Sequence, residues 1–377
     1  MEQRTNIDVK RTNRVSVYRK ILEQDNITIQ QLSRSLGMSI PTVTKNINEL
    51  IAQGLVEESG EYDSTGGRRP KMVSPIRTAK IAIGLDITQN HISTVAVDLC
   101  GNVLNFQRLR KKYLNDVTYY AEVAGLVNDF IEEIGYPKES ILGVGIAIPG
   151  RVSADGSIIM GSGVLKIRGE YVHNPFKGLF EYEHTMINEA SAAGFIEWFG
   201  AGDVNDMIYV SLSNSVGGAI IIDGNLYEGD MQKSAEFGHV IIHKGGERCY
   251  CGKKGCYDPY GKAVLLSDLA EGNLEAFFTQ LRQEDKALTE AFDTYLDDLA
   301  FFVGNLRTHF DCDVILGGYV GSYLDEYLAE IRERVLGYTY PNVSIADYIK
   351  PCKYKVESSA AGAAVRYIYD FVTCLRF

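Results

Sequence analysis

Three cysteines fall within eight residues, at Cys249, Cys251 and Cys256, and His239 stands ten residues before the first of them. Thiolates and an imidazole are the donors that a tetrahedral zinc ion takes, and glycines at 252 and 255 let the loop wrap closely around an ion. Four protein ligands leave no open coordination position, so the expected metal is structural and not catalytic. His243, four residues beyond His239, is a second candidate for the nitrogen ligand. Cys100, Cys312, Cys352 and Cys374 have no partner at ligand spacing and read as small buried hydrophobes. Seven cysteines, odd in number and unevenly spread, suit a reducing cytoplasm better than a disulfide framework.

A second group of chemically suggestive residues lies near the start of the chain. Ser39, Thr42, Thr44, Lys45 and Asn48 are short polar groups and one cation, the types that meet base edges and phosphates. Arg68 and Arg69 follow two glycines and suit a phosphate or a narrow minor groove. The elements that must hold them can be read from pattern. Val15, Val17, Tyr18, Ile21 and Leu22 fall at helical spacing over Arg14–Gln24, and Thr28 caps a second helix, Ile29–Leu36, that stops at Gly37. Ser39 then caps a third, with Pro41 in its first turn and Val43, Ile47, Leu50 and Ile51 on the face opposite the polar residues. Two helices joined by a short glycine turn form a helix-turn-helix, whose second helix enters the major groove. Leu55–Glu58 and the segment after Arg68-Arg69 would be the two strands of a wing; the alternative for that segment is a basic linker between domains.

Charge supports a division of labour. The chain of 377 residues carries 38 Lys+Arg and 49 Asp+Glu, a formal charge of -11. Residues 1–80 hold 13 Lys+Arg against 9 Asp+Glu, net +4, which leaves -15 for the rest. A basic module is therefore joined to an acidic one. The length excludes a disulfide-stapled miniprotein, and no apolar run approaches the ~20 residues of a bilayer span. The opening residues Met1–Asn6 lack an apolar signal core, so secretion is not expected.

After Pro75 the pattern changes. Ile81–Ile87 and Ser93–Leu99 read as strands followed by the turn Gly101-Asn102, and the sequence repeats this with Ile208–Leu212, Gly218–Asp223 and Gly224-Asn225. A strand, polar loop, strand, Gly-Asn turn repeat is internal duplication, and helical stretches at 118–134 and 286–310 make the class α/β. Two similar lobes around a cleft are expected, a common seat for a small ligand. The apolar stripe Leu288, Phe292, Tyr295, Leu299 and Phe302 fits either a core or a dimer seam.

The segment Glu236-Phe237-Gly238-His239 followed by Cys249-Tyr250-Cys251-Gly252-Lys253-Lys254-Gly255-Cys256 resembles the ROK family of repressors, open reading frames and sugar kinases. The resemblance extends over essentially the whole chain. It implies a winged helix-turn-helix over residues 1–75 and, over 76–377, a two-lobed actin-like, ribonuclease H-like body of the ATPase type. It favours His239 as the nitrogen ligand beside Cys249, Cys251 and Cys256. It also implies sugar contacts from Asn188, Glu189, Glu236, His239 and Asp258, with Asp258 standing where the family has a glutamate.

The kinases of that family carry Asp-x-Gly-Gly-Thr and Gly-Thr-Gly phosphate loops and a catalytic Asp after an Asn. The matching stretches here read Asp86-Ile87-Thr88-Gln89-Asn90, Ser213-Asn214-Ser215 and Asn188-Glu189-Ala190. Side chains now occupy space that the phosphates would need, and Glu189 stands at the base position with its carboxylate about an ångström displaced. The expectation is a non-enzymatic, sugar-responsive repressor that binds double-stranded operator DNA as a homodimer or homotetramer in the cytoplasm, away from membranes. The competing readings are an active ATP-dependent sugar kinase with a DNA-binding head, and a regulator that answers to a protein partner.

Overall fold

A computed structural model describes residues 6–61, 71–169, 171–202, 204–339 and 346–375. The head contains α1 (Asn6–Glu23), β1 (Ile27–Thr28), α2 (Ile29–Leu36), α3 (Ile40–Ala52), β2 (Val56–Glu61) and β3 (Lys71–Pro75). Helix α1 begins well before Arg14, at Asn6, in a stretch whose few apolar residues keep no helical period. Local chemistry sets the bounds of α2: Thr28 and Gln31 form a reciprocal capping box, and Gly37 ends the helix at φ 60°. Ser39 caps α3 by accepting from the Thr42 amide. Val17, Tyr18, Ile21, Leu32, Val43, Ile47 and Leu50 are buried between the three helices. Strand β3 pairs antiparallel with both β1 and β2, so Lys71–Pro75 is the return strand expected of a wing.

The first lobe holds β4 (Ile81–Ile87), β5 (His91–Asp98), β6 (Val103–Arg110), α4 (Val117–Ile134), β7 (Ile141–Ile148), β8 (Arg151–Val152), β9 (Ile158–Gly161), β10 (Val172–His173), β11 (His184–Asn188) and α5 (Glu189–Gly200). The second holds β12 (Met207–Leu212), β13 (Val216–Ile222), β14 (Asn225–Leu226), α6 (Asp258–Gly261), α7 (Val264–Ser267) and α8 (Leu274–Leu281). It continues with α9 (Lys286–Phe310), β15 (Asp313–Gly317), α10 (Gly318–Gly321), α11 (Leu328–Leu336) and β16 (Ile349–Pro351), after which α12 (Ser358–Cys374) returns to the first lobe.

The duplication seen in the sequence is a duplication of topology. One sheet runs β11-β7-β4-β5-β6 and the other β16-β15-β12-β13-β14, each an antiparallel meander extended by two parallel strands. Helix α12 packs on β4, β7 and α5 at close quarters. A β-carbon at Gly84 would sit 1.9 Å from the Ala360 carbonyl oxygen, and one at Gly362 1.8 Å from that of Ala192, so only glycine permits this approach. The stripe on α9 is core: Leu288, Phe292, Tyr295, Leu299 and Phe302 are all buried in the second lobe.

The head rests on the body. The Arg77 guanidinium pairs with Asp25 at 2.8 Å, Ile76 N–H donates to the Leu55 carbonyl, and Arg19 lies over the Tyr369 ring of α12. Apolar residues of α1 and of α12 belong to one continuous core. Two of the four remaining cysteines depart from expectation. Cys312 and Cys352 are buried, but Cys100 is half-buried at the head-body junction and Cys374, at the end of α12, is exposed. Among the described residues no helix is long and apolar enough to cross a membrane.

Candidate functional site

The four expected metal ligands converge. One donor atom from each of His239, Cys249, Cys251 and Cys256 lies within 4.8 Å of the others. His239 Nδ1 is 3.6 Å from Cys249 Sγ, and Cys251 Sγ is 3.7 Å from Cys256 Sγ. A tetrahedron with metal-sulfur bonds of about 2.3 Å has edges of about 3.7 Å, so the donor set fits zinc in both chemistry and spacing. The loop is folded by its own backbone: Cys249 N–H donates to Lys253, Gly252 N–H to Cys249, and Gly255 turns at φ 83° with no room for a β-carbon beside the His243 carbonyl. His243 is engaged elsewhere, its Nε2 2.7 Å from Asp298 Oδ1, which leaves His239 as the nitrogen donor.

His239 has a second face. Its Nε2 is 3.1 Å from the Tyr250 hydroxyl and 3.9 Å from Glu236 Oε2, and all three side chains line a cleft of about 510 Å³ between the lobes. Opposite stand Asn188, Glu189 and the Gly161–Val164 loop. Asn188 is the N-cap of α5: its Oδ1 accepts from Ala190 and Ser191, and its Nδ2 donates to the Gly150 carbonyl. Its amide therefore fixes the start of α5 and presents Glu189 to the cleft.

Asp258 corrects the sequence reading. It is 4% exposed, and its Oδ1 accepts from Ser215 Oγ at 2.8 Å and from Val216 N–H at 2.9 Å. The carboxylate braces the Ser213–Ser215 loop from behind and does not line the cleft. Tyr250 is the cleft residue that sequence reasoning misses. Its position between Cys249 and Cys251 is the available signal, because a side chain there is carried beside the candidate metal ligands.

A second cavity of about 220 Å³ adjoins the first, lined by Asp86, Gln89, Asn90, Arg108, Glu189 and Tyr319 among others. Burial pushes the Asp86 carboxyl up to about 7, against the pull of Arg108. Burial, with Asp86 as a like-charged neighbour, pushes Glu189 up to about 8. Asp86 Oδ1 has no hydrogen-bond partner among the described residues.

On α3, Lys45 and Asn48 are exposed on the face turned from the core, as expected. The hydroxyls of the same face are partly spent: Ser39 Oγ and Thr42 Oγ1 lie 2.8 Å apart, and Thr44 Oγ1 donates to the Ile40 carbonyl. Arg68 and Arg69 lie outside the described residues.

Comparison with known proteins agrees with this arrangement. Residues 82–368 match the family described as ROK family, and residues 13–57 match winged helix-turn-helix DNA-binding. The chain is similar to the xylose repressor of Bacillus spizizenii, 26% identical over 378 residues that cover 98% of each protein. It is 30% identical to the xylose repressor of Bacillus subtilis over 264 residues, 69% of this chain and 68% of that one. The N-acetylglucosamine repressor of Escherichia coli O157:H7 is 27% identical over 259 residues, 67% of this chain and 63% of that one. In fold, the chain resembles a ROK family transcriptional regulator described as a homolog of the E. coli MLC protein, with TM-score 0.74 and 17% identity over 97% of this chain and 98% of that one. It also resembles a ROK family glucokinase from Streptomyces griseus, with TM-score 0.59 and 22% identity over 75% of this chain and 98% of that one.

Proposed function

The chain belongs to the ROK family, and on that premise we propose that it is a transcriptional repressor whose head binds operator DNA and whose cleft senses a sugar or sugar phosphate. The observation that carries this is a mechanical connection. Helix α5 begins at the cleft wall with Asn188 and Glu189, packs on α12, and α12 supports α1 of the head. A ligand that closes the lobes and so shifts α5 against α12 changes the seat of the DNA-binding head. Such coupling requires only that the ligand prefer one of two arrangements.

Glu236 and His239 supply an acceptor and a donor at sugar-hydroxyl spacing. Were a zinc ion held through Nδ1, which faces Cys249, His239 would carry its proton on Nε2, toward Tyr250 and the cleft. His239, Cys249, Cys251 and Cys256 would hold a zinc ion that closes the loop and orients His239, with no catalytic position open. Residues 1–75 form the head and 76–377 the body in this reading, and two heads on a homodimer or homotetramer match the two half-sites of an operator. The protein works in the cytoplasm, where its DNA is.

Phosphoryl transfer is not part of this reading. The altered loops at Asp86–Asn90 and Ser213–Ser215 put side chains at the second cavity, where the phosphates of a nucleotide would lie. The decisive experiment has two arms. A thermal-shift screen of sugars and sugar phosphates, followed by operator binding with and without each hit, should find a ligand that raises the melting temperature and changes DNA affinity. Incubation with MgATP and a panel of hexoses should yield no sugar-dependent ADP; robust ADP formation would replace the repressor with a kinase. Intact operator binding with no ligand from the screen would favour control by a protein partner.

A further inference from the structure

Among the described residues of the head, the large apolar side chains left open are Val9, 45% exposed, and Ile40, 51% exposed. Val9 lies on α1; Ile40 is the first residue of α3. The hydroxyls around Ile40 are engaged within the first turn of α3, since those of Ser39 and Thr42 meet each other and the Thr44 hydroxyl returns to the Ile40 carbonyl. What remains is a shallow groove lined by Ile40, Pro41, Thr44 and Ala52 and flanked by Lys45, Asn48 and Glu49, the last with its carboxylate paired to Arg14. An isoleucine this open adds little to the packing of the head, and none of the described residues covers it.

Its place on the helix suggests an occupant. The amino-terminal residues of the second helix of a helix-turn-helix face base edges in the major groove. Of the four bases only thymine offers a methyl group there. The surroundings favour DNA over a protein: Lys10, Arg11, Arg34 and Lys45 are exposed on the same small, net-basic head. Ile40, Thr44 and Asn48 follow at four-residue intervals and so share one side of α3. From Ile40 to Asn48 the helix rises about 12 Å, the height of three to four base-pair steps. Asn48 carries the amide that can pair bidentately with adenine, so an apolar contact and an amide contact fall within a single half-site.

We propose that Ile40 reads a thymine by packing against its 5-methyl group in each operator half-site. The contact distinguishes thymine by shape alone, and the discrimination is apolar where the neighbouring hydroxyls are already occupied. This rests on the DNA-binding reading above, and the test separates the two. The full chain is used to select duplexes from a random pool, and each thymine of the selected site is then replaced singly by deoxyuridine, which lacks only the methyl. One thymine per half-site should show an affinity loss of about fourfold, the value of one buried methyl-sized group. In Ile40→Ala that loss should vanish, and the variant should bind the uracil duplex as tightly as the unaltered protein does. Ile40→Val, which keeps a branched β-carbon, should retain part of the discrimination, and equal melting temperatures show that the variants are folded. Convergence on a sequence with no uracil-sensitive thymine, or a uracil penalty that persists in Ile40→Ala, overturns the role of Ile40 alone. A pool that converges on no sequence overturns the DNA-binding reading and this proposal with it.

Discussion

The Arg14 guanidinium of the head donates to the Leu375 carbonyl at the end of α12, 3.2 Å away across 361 residues of chain. The same guanidinium pairs with Glu49 of α3 at 2.5 Å. One cation therefore ties the end of α12 to the DNA-facing helix. Its side chain is only 13% exposed, and hydrogen bonds to charged groups in such shelter contribute about 1.5–3 kcal/mol. Arg14→Ala should lower the melting temperature and weaken the effect of the sensed ligand on operator affinity, with metal content unchanged. Titration of operator with and without ligand checks this; an unaltered response would show that coupling bypasses α12.

Metal removal should be costly. Cys256 is fully buried, and Cys256→Ser removes one of four donors from the loop that orients His239. Elemental analysis should find one zinc per chain in the unaltered protein and a substoichiometric amount in the variant. Chelation should lower the melting temperature of the first and leave the second little changed. A metal-free native protein would end the zinc assignment.

Glu236 and Asp258 should part company. Glu236→Gln should weaken ligand binding in calorimetry by about tenfold, the value of one charged hydrogen bond, and barely move thermal stability, since its side chain is 47% exposed. Asp258→Ala leaves the Val216 amide and the Ser215 hydroxyl without their acceptor, so it should destabilise the body by about 1–3 kcal/mol. Equal stability of the two variants would contradict the placement of Asp258.

Stability should fall as pH rises. Asp86 and Glu189 have folded-state values of about 7 and about 8, above their unfolded values, so the folded chain binds more protons through the interval between. Their contribution is fully present below the ordinary carboxyl range and is lost progressively up to about pH 8. Glu189→Gln keeps the shape without the charge and should flatten the melting profile between about pH 5 and about pH 8, a window set by those values. A profile as steep as that of the unaltered protein would place the titrating group elsewhere.

Arg68 and Arg69 can be tested without a view of their placement. Replacing both with Ala should reduce the slope of operator affinity against salt by about one for each phosphate that is no longer neutralised. An unchanged slope would make the pair a linker.

What could be read from the sequence was what neighbouring residues decide. Thr28, Gln31 and Gly37 bound α2 through interactions within a turn, and the cysteine loop carries three of its ligands close together, so both are legible in the chain itself. The lobe repeat is legible because each meander is continuous in the chain. Asp258 is misplaced by sequence reasoning because the Val216 amide, 42 residues earlier, claims its carboxylate, a pairing that no local pattern records. Asn46, by contrast, is buried on α3 with its amide satisfied within the helix, by the Thr42 carbonyl one turn earlier. The docking of α12 beneath the head depends on the glycines at 84 and 362, whose purpose appears only when strand and helix are brought together.

The support of the head by Ser358–Cys374 has a consequence for synthesis. Helix α12 follows the head in the chain only after both lobes, so the head is synthesised well before the helix on which it rests. A message cut short ahead of Ser358 would leave the apolar faces of α1, α5 and the first-lobe sheet uncovered, so premature stop codons late in the reading frame should yield an unstable product and lose repression as fully as earlier ones do.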